Sequence, residues 1–242
     1  MARLRGPDGC PWDRVQTHQS LAPYLLEETH ETVEALHAGD PKKLCEELGD
    51  LMFEVFIQAQ LAEEAGEFTM RDVIRGINDK LVRRHPHVFA DAIAHTPEDV
   101  IEQWDELKAG ERAGDSALAG IPPSLPALAQ AQAIQRRVAR AGFAFESVED
   151  AWQALDEELT ELREAQTQAE KRKELGDAIF ALANVARELD VDAEDALLSA
   201  SRSFSNQFRA MEAILDEKQL DLRSVRLEQK LALWEEARSR TS

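Results

Sequence analysis

Three features of this 242-residue sequence predict an all-α fold. Between its glycine and proline clusters the chain is mostly Ala, Leu, Glu, Gln, Arg and Lys, the residues that cost least in a helix. Apolar residues recur at three-four spacing, as at Leu44, Leu48, Leu51 and Val55, which is the period of a helix face. Alternating β-branched runs, the pattern of a half-buried strand, are almost absent. A hydrophobic content of 43% against 31% charged residues is enough for a core, even with a net charge of -19.

Breakers divide the chain. They gather at Gly6 to Pro11, at Gly39 to Pro41, and from Gly110 through Gly114, Gly120, Pro122 and Pro123 to Pro126, and the last group is the natural domain boundary. The first long helix is expected over 18–38, where Leu21, Tyr24, Leu25, Ala35 and Leu36 cover one arc of the wheel. The tight AGDP turn (38–41) then leads into a helix over 41–65, carrying the Leu44 to Val55 stripe. A third helix, 69–84, stops before Pro86, and a fourth, 97–110, runs into the glycines of the linker. Beyond it, helices are expected at 125–141, 147–168, 170–188, 192–215 and 224–239.

The two halves are self-similar. CEELGDLMFEV (45–55) can be laid over RKELGDAIFAL (172–182), and Glu28 pairs with Glu158, Glu47 with Glu174, Asp50 with Asp177 and Trp104 with Trp234 at nearly constant offsets. The expected organisation is a duplicated helical unit: residues 1–112, a linker at 113–126, and residues 127–242. Four helices alone bury an apolar face poorly, so packing between copies or chains is expected.

Composition narrows the function. A strongly acidic chain repels phosphate backbones and has no Lys/Arg-rich run, which disfavours nucleic acid as a partner. No apolar run of membrane-spanning length and no apolar leader core occurs, so a cytoplasmic protein without a membrane partner is expected. Cys10 and Cys45 sit in no metal-spacing motif and are too few for a disulfide framework. They read as free thiols.

Carboxylates carry the chemistry. Glu27-Glu28-x-x-Glu31 and Glu47-x-x-Asp50 each put a pair of acids on one helix face. Two such helices, joined by a tight turn, bring Glu28, Glu31, Glu47 and Asp50 together. An acidic helix face is most often simply solvated, but Glu28 falls about 20° from Leu21 on the wheel, inside the apolar stripe. A buried carboxylate needs a partner, and crowded ones raise each other's pKa unless a cation neutralises them. Oxygen ligands in this number suit Mg²⁺, with Mn²⁺ as a substitute. Glu27-x-x-His30 also matches half of a ferritin-like di-iron pattern, but the next helix offers Glu47-x-x-Asp50 without a histidine.

Downstream lies NDKLVRRHPHVF (78–89), in which Lys80 and Arg84 stand one turn apart at a helix end. Exposed terminal cations are also favoured by the helix dipole. Beside an acidic metal site in so acidic a chain, a clamp for phosphate oxygens is the better reading. His85 and His87 flank Pro86 and are expected to cap or pack.

CPWD (10–13), EETHE (27–31), EELGD (46–50), NDKLVRRHPHVF (78–89) and the repeated acidic pattern of the second half resemble the MazG family of nucleoside triphosphate pyrophosphohydrolases, over nearly the whole chain. The resemblance implies an all-α homodimer acting in nucleotide-pool housecleaning. Such enzymes cleave between the α- and β-phosphates of a nucleoside triphosphate to give the monophosphate and pyrophosphate. It implies Glu28, Glu31, Glu47 and Asp50 as Mg²⁺ ligands, and Asn78, Lys80 and Arg84 as phosphate contacts. Trp104 and Lys108 would form an aromatic-plus-cation element near the nucleotide, with Trp12 a further candidate for the base; core packing is an equal alternative for both tryptophans.

The second half keeps Glu157, Glu158, Glu161, Glu174 and Asp177 but carries Ser201, Ser203 and Gln207 where the resemblance calls for Asn, Lys and Arg. Activity is therefore expected in the first copy. Two other functions stay open on the sequence alone: a non-catalytic helical scaffold or regulatory protein, and a pyrophosphatase narrowed to dUTP or dCTP.

Overall fold

The computed structural model describes residues 1–101, 103, 104 and 116–241. The chain folds as two compact units, Met1–Ala113 and Gly114–Ser242. All regular structure among the described residues is helical. No helix among them is long and apolar enough to cross a membrane.

The first unit contains α1 (Ala2–Arg5), α2 (Pro11–Arg14), α3 (His18–Ala38), α4 (Pro41–Glu64), α5 (Met70–Arg84) and α6 (Pro86–Phe89). Residues 97–101, 103 and 104 are also helical, at the start of the helix expected over 97–110; the rest of that expectation lies outside the described residues. The long helices fall where periodicity and breakers put them. The largest difference is the end of the helix expected over 147–168, which stops at Glu164. The short α1, α2 and α6 have too few residues to show a period, so the sequence pattern gives no sign of them.

Local chemistry explains the ends. Thr17 and Ser20 form a reciprocal capping box at the start of α3, and Gly39, at φ 64, ends it in the left-handed conformation that glycine tolerates. Asp40 then accepts from the Lys42 and Lys43 amides, with Pro41 in the first turn of α4. Thr69 and Asp72 repeat the capping box at α5. Ahead of α3, the Arg5 guanidinium donates to Glu64 at 2.8–3.0 Å and to the Asp13 carbonyl, fastening the N-terminal segment to the end of α4. A Cβ on Gly9 would stand 2.1 Å from the Leu4 carbonyl oxygen, so this close turn admits only glycine.

Helices α3 and α4 form an antiparallel hairpin. Leu21, Ile57 and Leu61 make the buried cluster at one end of it, with Met1 and Phe53 packed against them. Along α3 the inward seam runs through Leu21, Leu25, Glu28, Thr32 and Ala35; along α4 it runs through Glu47, Glu54, Ile57 and Leu61. This corrects the face expected for α4. Leu44 and Leu51 are half-buried, whereas Leu48 and Val55, with Met52 and Phe56, are exposed. The helix is apolar on two sides, and periodicity alone does not say which side meets α3. Tyr24 and Leu36 of α3 are likewise exposed.

The second unit contains α7 (Ala127–Arg140), α8 (Val148–Glu164), α9 (Gln168–Glu188), α10 (Ala193–Glu217) and α11 (Leu227–Thr241). A hairpin of α8 and α9 packs through Ala151, Leu155 and Val185. A second cluster, Met211, Ile214, Leu215, Val225, Leu233 and Ala237, joins α10 to α11. The fully buried Gln132 donates to the Val191 carbonyl at 2.8 Å and accepts from the Ala193 amide at 2.9 Å. That pair of bonds ties α7 to the turn between α9 and α10.

Candidate functional site

Two buried seams made largely of apolar residues also contain carboxylates, and those carboxylates meet. Glu28 from α3 and Glu47 and Asp50 from α4 each offer an oxygen within 4.8 Å of the others. Glu28 is half-buried, Glu47 is only 7% exposed, and Asp50 lies at the open edge. Thr32 holds the two helices in register here. Its hydroxyl donates to the Glu28 carbonyl at 2.8 Å and lies 3.4 Å from the Glu47 carbonyl.

The electrostatics follow from the crowding. Burial, then the charges of Asp50, Glu31, Glu47 and Glu27, raise the Glu28 pKa above the usual carboxylate range. Burial and Glu31 do the same for Glu47, against a smaller lowering by Lys43. Behind this group, one turn beyond Asp50, stands Glu54. It is 4% exposed, its Oε2 has no hydrogen-bond partner, and burial and then the charge of Glu28 raise its pKa. Three carboxylates share a small volume, with Glu54 behind them, and burial and neighbouring charge raise the pKa of Glu28, Glu47 and Glu54. A divalent cation among the front three removes that conflict, and an all-oxygen donor set fits Mg²⁺ or Mn²⁺.

Of the four expected ligands, the structure brings three together. Glu31 is exposed and lies outside the three-oxygen group, although its charge acts on both Glu28 and Glu47. Asn78 and Lys80 stand exposed on α5, and Arg84 is half-buried at its end. The Trp104 indole N–H donates to the Arg84 carbonyl at 2.7 Å, and its ring meets His85 edge-on at 5.2 Å. Trp104 thus closes the C-terminal end of α5, which is a packing role. Trp12 is T-shaped against Tyr24 at 5.6 Å. Lys108 lies outside the described residues. His30 is exposed, and His85 caps the end of α5 with its ring Nδ1 2.7 Å from the Leu81 carbonyl.

Sequence reading missed Glu54 and Thr32. Glu54 extends the Glu47, Asp50 spacing by one more turn and could have been read from it. Thr32 carries no local signal, because its role depends on the helix opposite.

The second unit repeats the arrangement. Glu158 from α8 and Glu174 and Asp177 from α9 offer oxygens within 4.8 Å of one another. Burial, then Glu161, Asp177 and Glu174, raise the Glu158 pKa. A cavity of about 380 Å³ opens beside this group, lined by Glu158 and Asp177 and by apolar chains including Val138, Phe143, Phe145 and Phe180. Ser201, Ser203 and Gln207, at the positions matched to the first unit's basic element, lie on α10. Gln207 donates to the Trp234 carbonyl at 3.0 Å, so the matched tryptophans contact the matched Arg84 and Gln207 in both units.

A family model described as the MazG nucleotide pyrophosphohydrolase domain matches residues 16–89, the segment that holds the first carboxylate group and the basic end of α5. The chain is 41% identical over 240 residues to a Thermotoga maritima protein named nucleoside triphosphate pyrophosphohydrolase/pyrophosphatase MazG, covering 98% of this chain and 92% of that one. It is 43% identical over 247 residues to an Escherichia coli protein named nucleoside triphosphate pyrophosphohydrolase, covering 98% and 94%. A Mycobacterium tuberculosis protein of the same name is 37% identical over 204 residues, covering 84% of this chain and 53% of its own length.

Proposed function

The chain belongs to the MazG family of nucleotide pyrophosphohydrolases, and from that premise we propose that it is an Mg²⁺-dependent enzyme whose first unit converts a (d)NTP and water to the (d)NMP and pyrophosphate. The observation that carries this reading is the trio Glu28, Glu47 and Asp50, with oxygens within 4.8 Å of one another in a largely buried seam. These three, with Glu31 at the mouth, would hold Mg²⁺, or Mn²⁺ in its place. When bound, such an ion neutralises charge gathering on the departing pyrophosphate and lowers the pKa of an attacking water.

The chain's own residues do the rest. Burial and neighbouring acids raise the pKa of Glu28 and Glu47, so a cation among them would favour their charged forms, and ion and carboxylates would stabilise each other. Asn78, Lys80 and Arg84 hold the phosphates, Lys80 as an exposed point charge and Arg84 as a planar fork at the end of the same helix. Trp104 keeps that helix end in position through its bond to the Arg84 carbonyl, and Lys108 would supply a further cation for the nucleotide. Glu27 and Glu31, both exposed, are available to accept the water's proton.

The second unit, with Ser201, Ser203 and Gln207 in place of the cations, orients a triphosphate poorly and is the non-catalytic half of a tandem duplication. The exposed apolar side of α4, with Leu48, Met52, Val55 and Phe56, and of α9, with Leu175, Ile179 and Leu182, supports a homodimer in which a second chain covers such faces. Light scattering after gel filtration tests it, and a monomer refutes it. Such an enzyme would serve to clear surplus or damaged nucleotides from the pool.

Incubation of the purified protein with each (d)NTP and Mg²⁺ decides the reaction. Pyrophosphate with the monophosphate is the expected product, and orthophosphate alone, or no turnover, overturns the proposal. A turnover confined to dUTP or dCTP would narrow it to those substrates.

A further inference from the structure

The two carboxylate groups differ at the position just before the buried glutamate. In the second unit the Lys173 ammonium lies 3.0 and 3.1 Å from the two oxygens of Glu174 and 3.0 Å from Asp177 Oδ2. These are the residues matched to Glu47 and Asp50. Glu174 is buried, so the contact neutralises a charge that water cannot reach well. At the matched position the first unit has Glu46, whose charge adds to the repulsion on Glu47 instead of relieving it. The same position thus supplies a cation to one group and a further anion to the other.

We propose that Lys173 is the resident cation of the second carboxylate group, spanning Glu174 and Asp177 where a divalent ion would otherwise stand, so that the second unit is built to be metal-independent. The inference rests on reading the first group as a metal site. An ammonium about 3 Å from both carboxylates has two effects on an incoming ion. It occupies the oxygens the ion needs, and its like charge repels the ion at close range. Its hydrogen bonds to Asp177 and Glu174 also hold the Lys173 pKa above the usual lysine value. The adjoining cavity of about 380 Å³ is then left without a bound metal to grip phosphates, which agrees with the loss of basic side chains at Ser203 and Gln207.

Mn²⁺ binding to the full chain, followed by electron paramagnetic resonance and by titration calorimetry, tests this in the wild type, Glu47→Gln, Lys173→Ala and the double variant, with Asp177→Asn added to the last and to Glu47→Gln. The expected result is one class of Mn²⁺ sites in the wild type, lost in Glu47→Gln. In the double variant a class at least tenfold tighter than any left in Glu47→Gln appears, and Asp177→Asn abolishes it. Lys173→Met, which keeps the aliphatic stem, is expected to behave as Lys173→Ala does, and thermal melts verify that each variant folds. Should Glu47→Gln keep a Mn²⁺ class that Asp177→Asn removes, Lys173 yields to metal and the proposal is wrong. It is equally wrong if removing the lysine adds no binding. A wild type that binds no Mn²⁺ would instead overturn the reading of the first group, while the double variant against Glu47→Gln still decides the role of Lys173.

Discussion

Replacing Glu54 by methionine is expected to stabilise the first unit. Glu54 is 4% exposed and its Oε2 finds no hydrogen-bond partner. A buried acceptor left unsatisfied costs about 1–3 kcal/mol, and Glu28, the charge that acts on Glu54, is itself an acid. Methionine has similar length, a good helix propensity and no strongly polar atom, so the substitution removes the penalty without opening a cavity. Taking about 1–2 kcal/mol as recovered, and about 4 °C per kcal/mol for a unit of roughly a hundred residues, the first-unit transition rises by about 4–8 °C. Calorimetry in a chelator at neutral pH measures it. The pH dependence has a definite sign. Burial and Glu28 raise the folded pKa of Glu54, so the folded state holds the proton more tightly than the unfolded chain does. The wild type then loses stability as pH rises from the ordinary carboxylate value through the raised folded one. Methionine does not titrate, so its advantage is largest above that window and shrinks toward pH 4. Glu54→Gln follows the same trend with a smaller gain. A variant less stable than wild type at neutral pH, or an advantage independent of pH, would show that Glu54 has a stabilising partner and would refute the reasoning.

Other perturbations separate the two units. Glu28→Ala or Lys80→Ala is expected to lower kcat/KM for the preferred nucleotide by about 100-fold or more, whereas Glu158→Ala leaves most of it; the opposite pattern would move the active site to the second unit. Mg²⁺ at about 100 times its Kd is expected to stabilise the first unit by ~2.7 kcal/mol, seen as a higher melting transition that Glu47→Gln erases. A transition indifferent to Mg²⁺ would mean that these acids merely face solvent. Gln132→Ala strands the Val191 carbonyl and the Ala193 amide, both bonded to the buried side chain, and is expected to cost the second unit about 2–4 kcal/mol in urea unfolding. A loss below about 0.5 kcal/mol would show that water replaces those bonds.

Helix type and extent were legible in the chain itself, because both depend on neighbours in sequence. The three-four spacing and the breakers at Gly39 and Pro86 act within a turn or two, as do the caps at Thr17, Asp40 and Thr69 that the structure shows. The carboxylate pairs were legible for the same reason: a spacing of three or four residues places two side chains on one helix face. Tertiary structure decided which face turned inward. Leu48 and Val55 belong to a sound apolar stripe yet stay exposed, while Glu47 and Glu54 are buried beside α3. It also separated Glu31 from the trio, set Thr32 between two backbones, and laid Lys173 across Glu174 and Asp177. Each of these outcomes depends on what stands across from a side chain rather than beside it. A helix offers several faces, and only the packing of its partner selects the one in which charge must be buried, shared or neutralised.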